Sequence, residues 1–177
     1  MESRGVSKVF ELDEKTRIMK LHSRIFVGNL LIKMYYPNVI AFLSKKVGFE
    51  EAKGRVFRIG QESARDMLKV TAPKIKNIKT MVEYWFKLMW HAKPSKIKVK
   101  KEKDKTIYEI IDKKCGVCDP ETELEGVKMP CISISGYLDA CMEYISKISD
   151  IGSYKVQTVK SVAMGDSYCE HHIEITR

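Results

Sequence analysis

All five cysteines of this 177-residue chain lie between positions 115 and 169. Cys115 and Cys118 form a Cys-x-x-Cys pair, Cys131 follows Pro130, Cys141 lies further on, and Cys169 stands two residues before His171. A thiolate can ligate a soft metal, attack an electrophile or pair with a second sulfur. An odd number of cysteines cannot be fully paired, and the N-terminal stretch MESRGVSKVFELDEK lacks the apolar core of a secretory signal. The cytoplasm is the expected compartment, and thiols or a metal site are expected before disulfides.

A lone Cys-x-x-Cys supplies half of a zinc site. As a redox pair it would want a helix N-terminus to lower a thiol pKa, whereas Pro120 and acidic residues follow it here. Cys131 stands at the predicted start of a helix over Ile132–Ile148, where the helix dipole favours a thiolate. Cys141 falls on the apolar side of that helix and reads as core. In the last predicted strand Cys169, His171, Ile173 and Ile175 share one face by period-two alternation. The two isoleucines turn that face inward, so Cys169 and His171 point in as well, and Glu170, His172 and Glu174 point out. A zinc site begun by Cys115 and Cys118 would take its other half from Cys131, Cys169 or His171. The chain contains no G-x-S-x-G, phosphate loop, dinucleotide fingerprint or H-E-x-x-H.

These residues need elements to position them. Periodicity predicts a helix over Leu12–Met34 capped by Asp13, broken at Tyr36-Pro37. A second follows over Val39–Val47, capped by Asn38 and ended by Gly48. A third covers Phe49–Val70, with Val56, Ile59, Ala64, Met67 and Leu68 inward. Gly54 and Gly60 within it point to close helix approach, because glycine otherwise costs about 1 kcal/mol in a helix interior. Pro73 suits the first turn of a fourth helix, whose apolar stripe runs through Ile75, Ile78, Met81, Val82, Trp85, Leu88 and Met89. Met81, Trp85 and Met89, with Gly136 and Tyr137 from the Cys131 helix, are the candidate lining of an adaptable hydrophobic pocket.

Alternation then predicts a hairpin of Lys96–Lys101 and Thr106–Ile111 turned near Lys103-Asp104, and a second of Tyr154–Met164 and Tyr168–Ile175 turned at Gly165-Asp166. Helices segregated from antiparallel hairpins mean an α+β fold: N-terminal helices plus a small antiparallel sheet packed on helices. The domain organisation expected is an N-terminal helical segment, 1–50, followed by a ligand-binding domain, 51–177. No run reaches the roughly 18–20 apolar residues of a membrane span. The net charge of +9 is concentrated in KPSKIKVKKEKDK, residues 93–105. Those lysines carry no interleaved aromatic for base stacking, so they read as a solvated surface and not a nucleic-acid site.

The Cys-x-x-Cys pair, Pro130-Cys131, Gly136 and the segment A-M-G-D-x-x-C-x-x-x-I (Ala163–Ile173) together resemble the V4R, or 4-vinyl reductase, domain family. The helix R-V-F-R-I-G-Q-E-S-A-R (Arg55–Arg65) is similar to that family's helix leading into its pocket. The resemblance spans roughly Gly54 to Ile175. It implies a fold related to the Bet3-type subunits of the TRAPP tethering complex, often dimeric, and the sensing or carriage of a small hydrophobic molecule, as in stand-alone archaeal members. It also implies zinc. In aromatic-sensing members Cys, Glu, Cys and Cys hold the ion. The first and last match Cys131 and Cys169, while the middle two fall near Thr158 and Ser161, neither of which is a zinc ligand. The Gly-Asp-x-x-Cys ending is also similar to the L-2-amino-thiazoline-4-carboxylate hydrolases. That implies an enzyme alternative, with Cys131 or a metal-bound water attacking and His171 as base. The third alternative is a non-catalytic dimeric assembly module.

Overall fold

Proline and glycine set the limits of the helical half in the computed structural model, which describes Leu31 and residues 35–118 and 129–176. Apart from Leu31, the helix expected over Leu12–Met34 lies outside these residues. Helix α1, Tyr36–Val47, carries Pro37 in its first turn. The expected break at Tyr36-Pro37 is a helix start instead, because a first-turn proline loses no intrahelical hydrogen bond and its fixed φ suits the helix. Gly48, at φ 80°, ends α1 and passes directly into α2, Phe49–Thr71.

The buried residues of α2 are Ala52, Val56, Gly60, Ala64 and Leu68, one every fourth position. That spacing makes a straight ridge along one side of the helix. Ile59, expected inward, is exposed because it stands one residue off this line. At mid-ridge a Cβ on Gly60 would overlap the carbonyl of Ser133, and a Cβ on Gly136 would overlap the carbonyl of Phe57. Helices α2 and α4 (Ile132–Ser146) therefore cross backbone to backbone. Gly54 has no such role, with nothing within 4 Å of its missing Cβ.

Helix α3, Ile78–Trp90, starts later than Pro73. Asn77 Oδ1 accepts the Thr80 N–H at 3.0 Å, an N-cap that fixes the start. Ala72, in the left-handed region, closes α2 before it. The strands are β1 (Lys96–Lys101), β2 (Lys105–Asp112), β3 (Ser153–Lys160) and β4 (Cys169–Thr176), ordered β1-β2-β4-β3. All pairings are antiparallel, with the two hairpins joined through β2 and β4. β3 is shorter than expected: the register slips between Thr158 and Lys160, and Val162–Met164 turns as a 3-10 helix.

Helix α4 is the central element. Every residue from Ile132 to Gly136 is buried, as are Leu138, Ala140, Cys141, Met142 and Ile145. It lies between α2 on one side and the sheet with α3 on the other, and the main core gathers Met81, Trp85, Ile110, Ile134, Leu138, Met142, Ile145 and Ile173 around it. The architecture is the α+β arrangement expected from the sequence. Among the described residues no helix is long and apolar enough to cross a membrane.

Candidate metal centre

Three separate segments converge at one end of the sheet. Strand β2 ends at Asp112, and the tight turn beyond it carries Cys115 and Cys118. Cys131 is the N-cap of α4, and Cys169 opens β4. The Sγ atoms of these four cysteines all lie within 4.8 Å of one another, and all four side chains are buried. The chain is free of disulfides among the described residues, and Cys141 is a separate buried thiol in the core.

The spacing of the sulfurs decides what kind of group they fit. A tetrahedral ion with metal–sulfur bonds of about 2.3 Å has sulfur–sulfur edges of about 3.8 Å, so four sulfurs this close suit a single ion. A multi-iron cluster spreads its cysteines further apart, because bridging sulfides lie between the irons. Four thiolates are also a closed set: they complete a tetrahedron and leave no position for water or substrate. The donor set fits a structural zinc site, and it can hold a metal ion.

The electrostatics agree. Sulfur–hydrogen donation from Cys115, then Cys131 and Cys169, holds the Cys118 thiol well below its ordinary range. The same hydrogen bond with Cys118 pushes Cys115 up. Cys118 is therefore the thiol that ionises most readily, and Cys115 and Cys131 are pushed up beside it in the same buried site. A dication removes that conflict and allows all four to ionise. The Val162 N–H donates to Cys169 Sγ at 3.4 Å, and Ser161 Oγ stands 3.5 Å from both Cys118 Sγ and Cys131 Sγ, accepting from the Cys131 thiol.

His171 is not one of the four converging ligands. It points inward from β4, fully buried, and its Nδ1 lies 3.1 Å from both Ser135 Oγ and Thr158 Oγ1. Those hydroxyls are 2.8 Å apart, closing a triangle between α4, β3 and β4. Burial pulls the imidazole down to about 4, so it is neutral at ordinary pH. Its Nε2 has no hydrogen-bond partner.

On the outer face of the sheet Glu109, Glu170 and His172 form a second close group. Here the carboxylates are already matched: Glu109 pairs with Lys100 from one edge strand, and Glu170 with Lys160 at 3.1 Å from the other. His172 Nε2 lies 2.6 Å from Glu170 Oε1. Glu109 and Glu170 are nonetheless buried, so this is a largely covered ion-pair network, although Glu170 was expected to point outward.

The expected pocket residues are divided. Met81 and Trp85 are buried in the main core, with Met89 and Tyr137 packed half-buried against it. The Trp85 and Tyr137 rings stand 6.1 Å apart. Gly136 faces the other way, against α2, where the Phe57 carbonyl fills its space. Open volume of about 200 Å³ lies instead in a groove between α2 and α4, lined by Arg65, Leu68, Lys69, Ala140, Glu143, Tyr144 and Lys147.

Sequence reasoning missed two contributors. Tyr36, at the start of α1, donates its hydroxyl to the Pro130 carbonyl at 2.5 Å and lies 2.7 Å from Ser133 Oγ, tying α1 to the residues flanking Cys131. No pattern in the sequence marks it. Ser161 had a signal, since it falls near a ligand position of the V4R family, but only folding shows that it faces the sulfurs.

No protein-family model matches the chain, and no curated protein matches its sequence. Solved structures do resemble it. One is the phenol-responsive sensory domain of the transcription activator PoxR with phenol, at TM-score 0.55 and 13% identity, covering 79% of this chain and 72% of that one. Another is subunit 3 of the trafficking protein particle complex from Naegleria fowleri, covalently bound to palmitic acid, at TM-score 0.53 and 13% identity, covering 86% of this chain and 96% of that one. At these identities the likeness is one of fold, a TRAPP-type α+β architecture.

Proposed function

We propose that this chain is a non-catalytic domain of the V4R type that binds or senses a small hydrophobic molecule, and that a structural zinc ion on Cys115, Cys118, Cys131 and Cys169 holds its site-bearing end together. The closed set of four buried thiols carries the reading. Such an ion supplies cross-linking energy, fixing the turn after β2, the start of α4 and the start of β4 to one point. The ligand reading is supported by the fold shared with a phenol-binding and a palmitate-bound protein. It is also supported by the methionine and aromatic side chains of Met81, Trp85, Met89 and Tyr137, which can rearrange around an apolar guest.

The hydrolase alternative asks Cys131 and His171 to act together. Cys131 Sγ instead faces Ser161 and the other thiols, and His171 Nδ1 is engaged by two hydroxyls. Both side chains are fully buried. A homodimer belongs to the proposed reading, with the exposed apolar stripe Tyr35, Val39 and Phe42 as a natural contact surface.

Metal analysis of the purified protein tests the centre. One zinc per chain is expected, with loss of that zinc in Cys131→Ala; wild-type protein free of bound metal after preparation with zinc supplied would overturn it. Native mass spectrometry of the same sample reads the co-purified ligand and the oligomeric state together. An empty monomer that also ignores added phenol and palmitate would sink the sensing reading.

A further inference from the structure

The turn between β3 and β4 wraps the sulfur cluster. Ser161 is fully buried although it carries a hydroxyl, and its Oγ stands 3.5 Å from two of the four sulfurs, those of Cys118 and Cys131. The next residue reaches a third, through the Val162 N–H to Cys169 Sγ. Every backbone group that would orient Ser161 is used. Its N–H donates to Asp166 Oδ2 at 2.9 Å, and its carbonyl accepts from Met164 N–H at 2.8 Å and from Asp166 N–H at 3.3 Å. The turn closes through Gly165, whose φ of 91° lies in the region that favours glycine.

In the thiol form Cys131 donates to the Ser161 oxygen. Once a dication has displaced the thiol protons, the roles must reverse, because only the hydroxyl still has a hydrogen to give. Four thiolates around one dication leave two net negative charges in a buried site. Such charge is tolerable only where fixed donors face the sulfurs.

We propose that Ser161 is the positioning residue of this metal centre: its one hydroxyl hydrogen is shared between the Cys118 and Cys131 thiolates, and Asp166 locks it in place. This rests on the metal reading given above. Outer partners of this kind typically contribute ten- to hundredfold in metal affinity.

The test uses the full chain loaded with zinc or with cobalt(II), whose sulfur-to-metal charge-transfer absorption reports the electron density on sulfur. Zinc affinity is measured by competition with a chromophoric chelator for wild type, Ser161→Ala and Asp166→Ala. Ser161→Ala is expected to bind zinc about ten- to hundredfold more weakly. Its cobalt charge-transfer band should move to longer wavelength, because a sulfur without its hydrogen bond gives up electron density more easily. Asp166→Ala, which removes only the acceptor that holds the Ser161 N–H, should shift both in the same direction by less. Unchanged affinity and band position in Ser161→Ala would overturn the inference while leaving the metal centre standing. Wild-type protein that takes up neither ion would overturn the metal reading itself. Should Ser161→Ala not fold, Asp166→Ala decides, and a variant indistinguishable from wild type refutes the role.

Discussion

Two points one turn apart on the N-terminal half of α4 are held by opposite kinds of chemistry. At its N-cap, Cys131 is one of four sulfurs brought from three segments, and the contact is polar and built for an ion. One turn later, at Gly136, the same helix meets α2 through bare backbone, with the Gln61–Asp139 and Arg65–Glu143 pairs further along the crossing. The first contact can hold a metal ion, which would neutralise its charge. The second needs no partner and tolerates no addition. A helix fixed in these two ways cannot slide without separating the sulfurs or creating an overlap, and its first five residues, Ile132–Gly136, are all buried.

Removing the ion is the strongest way to separate the two. Structural zinc can contribute on the order of 10 kcal/mol in small domains. If half of that survives here, stripping the metal with a tight chelator lowers the melting temperature by more than about 10 °C, at roughly 2–4 °C per kcal/mol for a chain this size. Calorimetry with and without chelator reads it, and an unchanged transition would show that the thiol end stands without a metal.

Gly136→Ala attacks the other contact. The new methyl must push Phe57 and α2 away, an overpacking expected to cost about 3 kcal/mol. Denaturant unfolding measures the loss, while metal stoichiometry in the folded protein stays at the wild-type value. A harmless Gly136→Ala would mean that the helices can separate at no cost, and the close crossing would lose its structural weight.

The smallest effect belongs to Cys141→Ala, a thiol outside the cluster whose removal leaves only a small void, about 1 kcal/mol. Metal content should not change. If it fell, the division of the five cysteines into four ligands and one core residue would be wrong.

Much of this was legible in the chain itself. The inward face of the last strand follows from alternation, and Cys169, His171, Ile173 and Ile175 are all buried. The hairpin of lysines, the helix beginning after Cys131 and the turn at Gly165-Asp166 were equally plain, because each rests on a local period or a local backbone requirement. The errors were local too. Pro37 reads as a break when it is a first-turn residue, and Pro73 reads as a helix start although Asn77 supplies the cap. In both cases two rules competed over the same few residues.

The amino-acid order alone determined the α+β class, the inward face of the last strand and the set of sulfurs available. Which of them meet was decided by the tertiary structure. Cys115 and Cys169 are far apart in sequence, and only the pairing of β2 with β4, in the register Asp112 with Cys169, puts the turn after β2 beside the start of β4. The same pairing leaves His171, two residues further along, facing Ser135 and Thr158 and apart from the ligand group. Strand register is a long-range property, set by the whole sheet and the helix packed on it, so spacing could name the ligands available but not choose among them.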